Sequence, residues 1–168
     1  TSLCLRMPKY IFSLCAGIAA SLALPPMDVV PAIFFFSPVF YFAVNALTAR
    51  QAALYVGLSS CGWFMASLYW IGSSLFVDEG LQLLLLPFVC LLFPLFLALF
   101  WAAGVALAFR VFSSPSARLI GFIICLGCAD YLRSIMLTGF PWNVTAHAFL
   151  GSLILAQGAS FVGQNGLN

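Results

Sequence analysis

Long apolar runs fill most of this chain, broken by short charged or proline-bearing punctuation. The runs fall at about 10–24, 32–47, 51–72, 81–109 and 119–137. Pro25-Pro26-Met27-Asp28 closes the first and Thr48-Ala49-Arg50 the second, while the stretch from Ser73 to Gly80, with Asp78 and Glu79, closes the third. Arg110 and Ser113-Ser114-Pro115-Ser116 follow the fourth, and Thr138-Gly139-Phe140-Pro141 follows the fifth. A helix that crosses a bilayer needs about 20 apolar residues, so the third and fifth runs fit as they stand and the first two need their flanks. The fourth, at about 1.5 Å per residue, would reach ~43 Å against a hydrocarbon core of ~30 Å. Pro87 and Pro94 are expected to kink it, or its first turns lie along the interface. An outer loop and less apolar tail, 138–168, is expected to start a sixth span.

Composition turns these runs into a fold class. Charged residues make up 6% of the chain, where a soluble domain carries roughly 25%, and mean hydropathy is +1.15. Too little polar surface exists to coat a soluble core. The expected architecture is an all-α integral membrane protein, a bundle of about five transmembrane helices with the start of a sixth. Arg6, Lys9, Arg50, Arg110 and Arg118 fall before or between spans on one side, and Asp28, Asp78 and Glu79 on the other. The excess of positive charge marks the cytoplasmic side, which puts the N-terminus in the cytoplasm and 138–143 outside. An alternative for the start is a secretory signal peptide, with Arg6 and Lys9, a short apolar run and Ala20-Ser21-Leu22-Ala23; Pro25-Pro26 fits cleavage poorly, and removing the helix spoils the charge sidedness. No basic stripe is available for nucleic acid. Five of the six cysteines, Cys15, Cys61, Cys90, Cys125 and Cys128, lie in apolar runs and read as packing residues, and Cys125-x-x-Cys128 lacks a second ligand pair for a metal. Gly17, Ala20 and Ser21, then Gly62 and Ala66, then Ala98, Ala102 and Ala106 carry the small-xxx-small spacing that lets helices approach in lipid.

Concentrated chemistry occurs in one place. Asp130 and Arg133 stand three apart inside an apolar run, where an ionisable side chain costs on the order of 2.5–3.5 kcal/mol at the bilayer centre. They share a helix face and are expected to pair, either as a lock within the helix or with Arg133 free to meet a lipid phosphate or a neighbouring domain's loop. Gly139 and Pro141 stop the helix, leaving Phe140 and Trp142 at headgroup depth. Tyr69 and Trp70 end the third run at the same surface, as part of the same cavity or as interfacial anchors. His147, the single histidine, is either a proton-relay group or a hydrogen-bonded interfacial residue.

Four groups of residues, in this order and spacing, carry a resemblance. They are Leu24-Pro25-Pro26-Met27-Asp28-Val29-Val30-Pro31, Gly62-Trp63-Phe64 with Tyr69-Trp70-Ile71, Asp130-Tyr131-Leu132-Arg133, and Leu137-Thr138-Gly139-Phe140-Pro141-Trp142-Asn143. The chain resembles the N-terminal membrane domain of bacterial apolipoprotein N-acyltransferases over essentially its whole length, which is less than half of a family member. The resemblance implies an inner-membrane, multi-pass domain of an enzyme that moves an acyl chain from a phospholipid to the N-terminal diacylglyceryl-cysteine of an apolipoprotein. It also implies a nitrilase-like domain with catalytic Cys, Glu and Lys, absent from these residues, and no cofactor or metal. Asp130 stands where the family commonly has Glu. The one Lys, Lys9, and the one Glu, Glu79, are expected on opposite membrane faces, so no Cys-Glu-Lys site assembles and the chain alone is expected to be inactive. Its expected part is to bind and present lipid, or to dock the nitrilase-like domain, through Arg133, Phe140, Trp142, Asp130, Tyr69, Trp70 and His147. The rival readings are a non-catalytic membrane assembly partner, part of a small transporter, or a membrane acyltransferase of another specificity sharing this scaffold, including a membrane partner of polyprenyl-phosphate mannose synthase. A transporter would carry polar groups near the bilayer midplane, whereas this cluster lies toward one surface.

Overall fold

A computed structural model describes residues 7–74, 76, 84–136 and 139–167, and all regular structure among them is helical. Helix α1 (Met7–Ala20) runs into a 3₁₀ turn at Ser21–Ala23. After the Pro25-Pro26 loop, a 3₁₀ turn at Val30–Phe35 leads into α2 (Phe36–Val44). Helix α3 (Ala49–Ser67) is capped by the Thr48 hydroxyl, which accepts from Gln51 N, and α4 is the short helix Tyr69–Ser74. A π turn at Phe88–Leu92 opens α5 (Phe93–Val111), and α6 spans Pro115–Ile135. The tail holds a 3₁₀ turn at Thr145–Phe149, then α7 (Leu153–Ala156) and α8 (Ala159–Leu167).

Several boundaries move from their expected places. The first helix starts at Met7, and α6 starts at Pro115, where Ser114 accepts from Ala117 N and proline at the first turn forfeits no helical bond. The third run does not continue to 72 as one helix, because Leu68 leaves helical geometry (φ −107°, ψ 6°) while its side chain stays in the core. In the fourth run, Pro94 has no N–H and its ring crowds the carbonyl four residues back, at Cys90; the chain relieves this as a π turn. Residues 77–83, with Asp78 and Glu79, and Leu137 and Thr138 lie outside the described residues. Two helical stretches, Phe88–Val111 and Pro115–Ile135, are long and apolar enough to cross a membrane, while Met7–Ala23 and Val30–Val44 are apolar but shorter.

Small residues set the packing. Gly17 lies against the Ser59 backbone and Gly62 against the Leu14 carbonyl, so α1 and α3 meet in parallel with no room for a Cβ at either place. Gly104 meets Cys125 across the antiparallel α5–α6 contact. Between these helices sits an aromatic core: Phe36 packs on Trp63 and Trp101 with ring centres 5.4 and 5.7 Å apart, and Phe64 meets Trp101 edge-on. Outward faces are apolar as well. Leu99, Leu107, Ile120, Ile123 and Ile124 are all more than half exposed, a belt that lipid rather than water accommodates.

The two ends of the bundle differ. At one, Lys9 lies over Phe42, and Arg118 stacks on Phe109 while donating to the Phe112 and Val44 carbonyls. The opposite end gathers the ends of α1, α3 and α6 with the tail. Ala148 of the tail packs with Ala23 and Ala32 in a small second core.

Candidate functional site

The last turn of α6 and the loop after it are held by a chain of polar contacts anchored in the core. Trp101 of α5 donates its indole N–H to Asp130 Oδ1 at 2.7 Å. Arg133 donates to the same oxygen through Nε (3.3 Å) and Nη2 (3.1 Å), while its Nη1 donates to the carbonyls of Phe140 and Trp142, both at 2.8 Å. Both side chains are nearly shut off from solvent, at 3% and 2% exposure, and the guanidinium stands over the Phe64 ring. A charge at such depth is tolerable because each side of the pair is hydrogen-bonded. The Phe140 N–H returns a bond to the Arg133 carbonyl at 3.0 Å, and Trp63 of α3 donates to the Asn143 carbonyl at 3.0 Å.

The loop geometry requires particular residues. Gly139 has φ +79°, and a Cβ there would run into the Ser134 carbonyl; Asn143 has φ +54°, a region where asparagine is among the few tolerated side chains. The clamp and these two turns fix Phe140 and Trp142 on opposite walls. Phe140 turns toward α5, edge-on to Phe93 at 5.0 Å, beside an apolar groove formed with Phe88, Leu92, Phe96 and Met136. Trp142 turns the other way, onto Trp70, with ring centres 5.5 Å apart.

Tyr69, Trp70, Trp142 and His147 together line a cleft of about 650 Å³, floored by Ser67 and Asn143 and bounded by Pro25, Pro26 and Met27. Partial burial pulls the His147 pKa below its ordinary value, and a hydrogen bond with Gln164 offsets this in part. Thus four of the residues singled out in the sequence share one cleft, Phe140 sits on a second groove, and Asp130 with Arg133 form the buried partition. Arg133 faces inward: its guanidinium donates to Asp130 and to the Phe140 and Trp142 carbonyls, which is the lock within the helix end rather than an exposed phosphate hook. Trp63 entered only through the Gly62-Trp63-Phe64 motif, and Trp101 was not singled out. Each is the donor that fixes part of the site, and in the sequence they look like any apolar residue of a run. Among the described residues no group of three or more His, Cys, Asp or Glu converges, and Lys9 lies at the other end of the bundle.

An apolar-belted helical bundle with a clamped aromatic loop at one end defines a membrane protein whose specific chemistry sits at that end. A sequence profile described as the apolipoprotein N-acyltransferase N-terminal domain matches residues 16–168. The chain therefore belongs to the bacterial apolipoprotein N-acyltransferase family. Proteins named apolipoprotein N-acyltransferase from Rhodopseudomonas palustris, Brucella melitensis and Agrobacterium fabrum are 34%, 31% and 30% identical to it over 95%, 91% and 94% of its length. The chain spans about a third of the length of these curated relatives (31%, 31% and 32%).

Proposed function

We propose that this chain is the membrane domain through which an apolipoprotein N-acyltransferase offers lipid to its catalytic machinery in lipoprotein maturation. The acyl donor is a membrane phospholipid and the acceptor a diacylglyceryl apolipoprotein. The domain lies in the bacterial inner membrane with five spans, its N-terminus in the cytoplasm and the Phe140–Trp142 loop outside. Support for this orientation comes from the grouping of Lys9, Arg50, Arg110 and Arg118 toward the bundle end opposite that loop. Acyl transfer itself is assigned to groups elsewhere in the whole enzyme, in the nitrilase-like domain that the family resemblance implies.

The observation that carries the reading is the Arg133 clamp. A buried cation is an expensive way to hold a surface loop, and here it holds two carbonyls of the loop that bears Phe140 and Trp142. Such fixation suits a lip that must keep its shape against lipid or a docked domain. Trp142→Ala at the matching position of a full-length relative is expected to lower lipoprotein N-acylation, read by mass spectrometry of the lipopeptide; Trp142 is half exposed, so the fold should survive. Unchanged acylation would remove the loop from the function. Reporter fusions after residue 140 should be active outside the cytoplasm, and fusions after residue 113 inside it.

A further inference from the structure

A Cβ on Gly104 would stand 3.0 Å from the Cys125 carbonyl oxygen, so α5 and α6 pass close to one another there. Trp101 lies one turn earlier on α5 and is 1% exposed. Phe36 packs on its ring at 5.7 Å and Phe64 meets it edge-on at 5.9 Å, which fixes the direction of its N–H. That N–H ends on Asp130 Oδ1 at 2.7 Å, while Arg133 Nη2 and Nε reach the same oxygen at longer range, 3.1 and 3.3 Å. The Phe64 ring also lies under the guanidinium, at 5.0 Å.

A guanidinium holds its donors in a rigid plane, so the edge that meets a carboxylate decides where the other donors point. Asp130 and Arg133 share a helix face and attract one another whichever edge is used. Attraction alone does not choose between the edge made by Nε with Nη2 and the edge made by Nη1 with Nη2, since either can pair with a carboxylate. With the second edge taken, Nη1 would leave the loop. The structure has the first, and Nη1 reaches the Phe140 and Trp142 carbonyls at 2.8 Å each. An oxygen held in place from the neighbouring helix supplies the choice.

We propose that Trp101 is a positioning residue for the outer loop: its indole N–H pins Asp130 Oδ1, and the pinned oxygen selects the edge of Arg133 that leaves Nη1 aimed at the two loop carbonyls. Trp101 acts on the loop through Asp130 and Arg133. The same helix lines the groove beside Phe140 with Phe93 and Phe96, so one element sets both the loop and the wall it faces. The proposal rests on the lipid-presenting reading above and adds the residue that fixes the shape of its loop.

The test uses the full chain in phospholipid nanodiscs, with residue 101 replaced through an amber codon. A benzothienyl analogue of tryptophan keeps the ring shape and puts sulfur in place of the N–H, whereas a fluorotryptophan keeps the N–H. Hydrogen–deuterium exchange of the Phe140 amide is expected to rise roughly tenfold with the benzothienyl analogue and to stay at the wild-type rate with fluorotryptophan. Trp101→Phe should raise it at least as much. The Phe112 amide, bonded to the Ala108 carbonyl at 2.9 Å near the other end of α5, should change by less than about twofold with the benzothienyl analogue, because ring packing and the α5–α6 contact persist. Wild-type exchange at Phe140 with that analogue would overturn the proposal, since the ring's shape would then suffice. An equal rise at Phe112 would overturn it too, because α5 as a whole would have loosened. Acyl transfer is not read here. Lost Trp101 dependence with Trp142-dependent acylation intact in a relative would therefore sink this role alone, and the reverse result would sink the functional reading alone.

Discussion

Replacing Arg133 with Met should free the Phe140–Trp142 loop while leaving most of the bundle standing. The side chain keeps much of its volume, so packing against Phe64 is largely retained, but both bonds from Nη1 to the loop carbonyls vanish. Hydrogen bonds to a charged group contribute about 1.5–3 kcal/mol each. At 2% exposure Arg133 needs no discount for solvent screening, so the two together hold the loop shut by ~3–6 kcal/mol. Since 1.4 kcal/mol is a factor of ten, opening of the loop should become at least a hundredfold more frequent, on the order of 10²–10⁴. The Phe140 amide, bonded to the Arg133 carbonyl at 3.0 Å, reports this directly through hydrogen–deuterium exchange. Asp130→Asn is the control, because it removes the ion pair and leaves both carbonyl bonds; exchange at Phe140 should then change less than about tenfold. Thermal unfolding in detergent should respond less than exchange does. Asp130 and Arg133 are i and i+3 on one helix, so their pairing can persist when helices separate and cancels from the difference. If Arg133→Met accelerates Phe140 exchange by less than tenfold, or Asp130→Asn matches it, the clamp does not hold the loop.

Gly62→Leu should loosen the α1–α3 crossing by about 1–3 kcal/mol or more, since even a Cβ collides with the Leu14 carbonyl; equilibrium unfolding measures it, and a wild-type midpoint would contradict the packing. Gly139→Ala combines a left-handed backbone with a Cβ against the Ser134 carbonyl, so it should cost about 1–2 kcal/mol and raise Phe140 exchange by roughly tenfold, less than Arg133→Met does. Burial depresses the His147 pKa, so the folded tail binds a proton less readily than the unfolded chain. Tail stability should be intact above the usual histidine value of about 6.5 and fall as pH drops from there through the lower folded value. Protease cleavage between residues 147 and 164 should rise over that window in the wild type and stay flat in His147→Gln.

The aromatic lip was legible in order but not in architecture. Asp130, Arg133, Gly139 and Pro141 announce themselves, because charge inside an apolar run and helix-stopping residues have local costs that must be met nearby. What meets those costs is distant. Trp101 lies 29 residues from Asp130 and Trp63 lies 80 residues from Asn143, and neither separation leaves a mark in an apolar stretch. The inward turn of Arg133 was equally hidden: the same residue at the end of a helix could face headgroups or carbonyls, and the Gly139 turn, by bringing Phe140 and Trp142 back over α6, decides for carbonyls. The apolar runs started these helices late, at 51 and 119, where the Thr48 and Ser114 caps start them at Ala49 and Pro115, and they gave no sign of Leu68, whose departure from the helix keeps a side chain in the core.

By itself the sequence determined that the chain is a helical, lipid-compatible protein with its polar chemistry near one end. Hydropathy and charge placement are sums over single residues and need no partner. Tertiary structure alone decided that Trp142 closes on Trp70 over a cleft while Phe140 serves a separate groove, and that Ser67 and Asn143 share a wall. Those facts depend on which helices pack together, and that follows from glycine contacts and side-chain shapes between residues far apart in the chain.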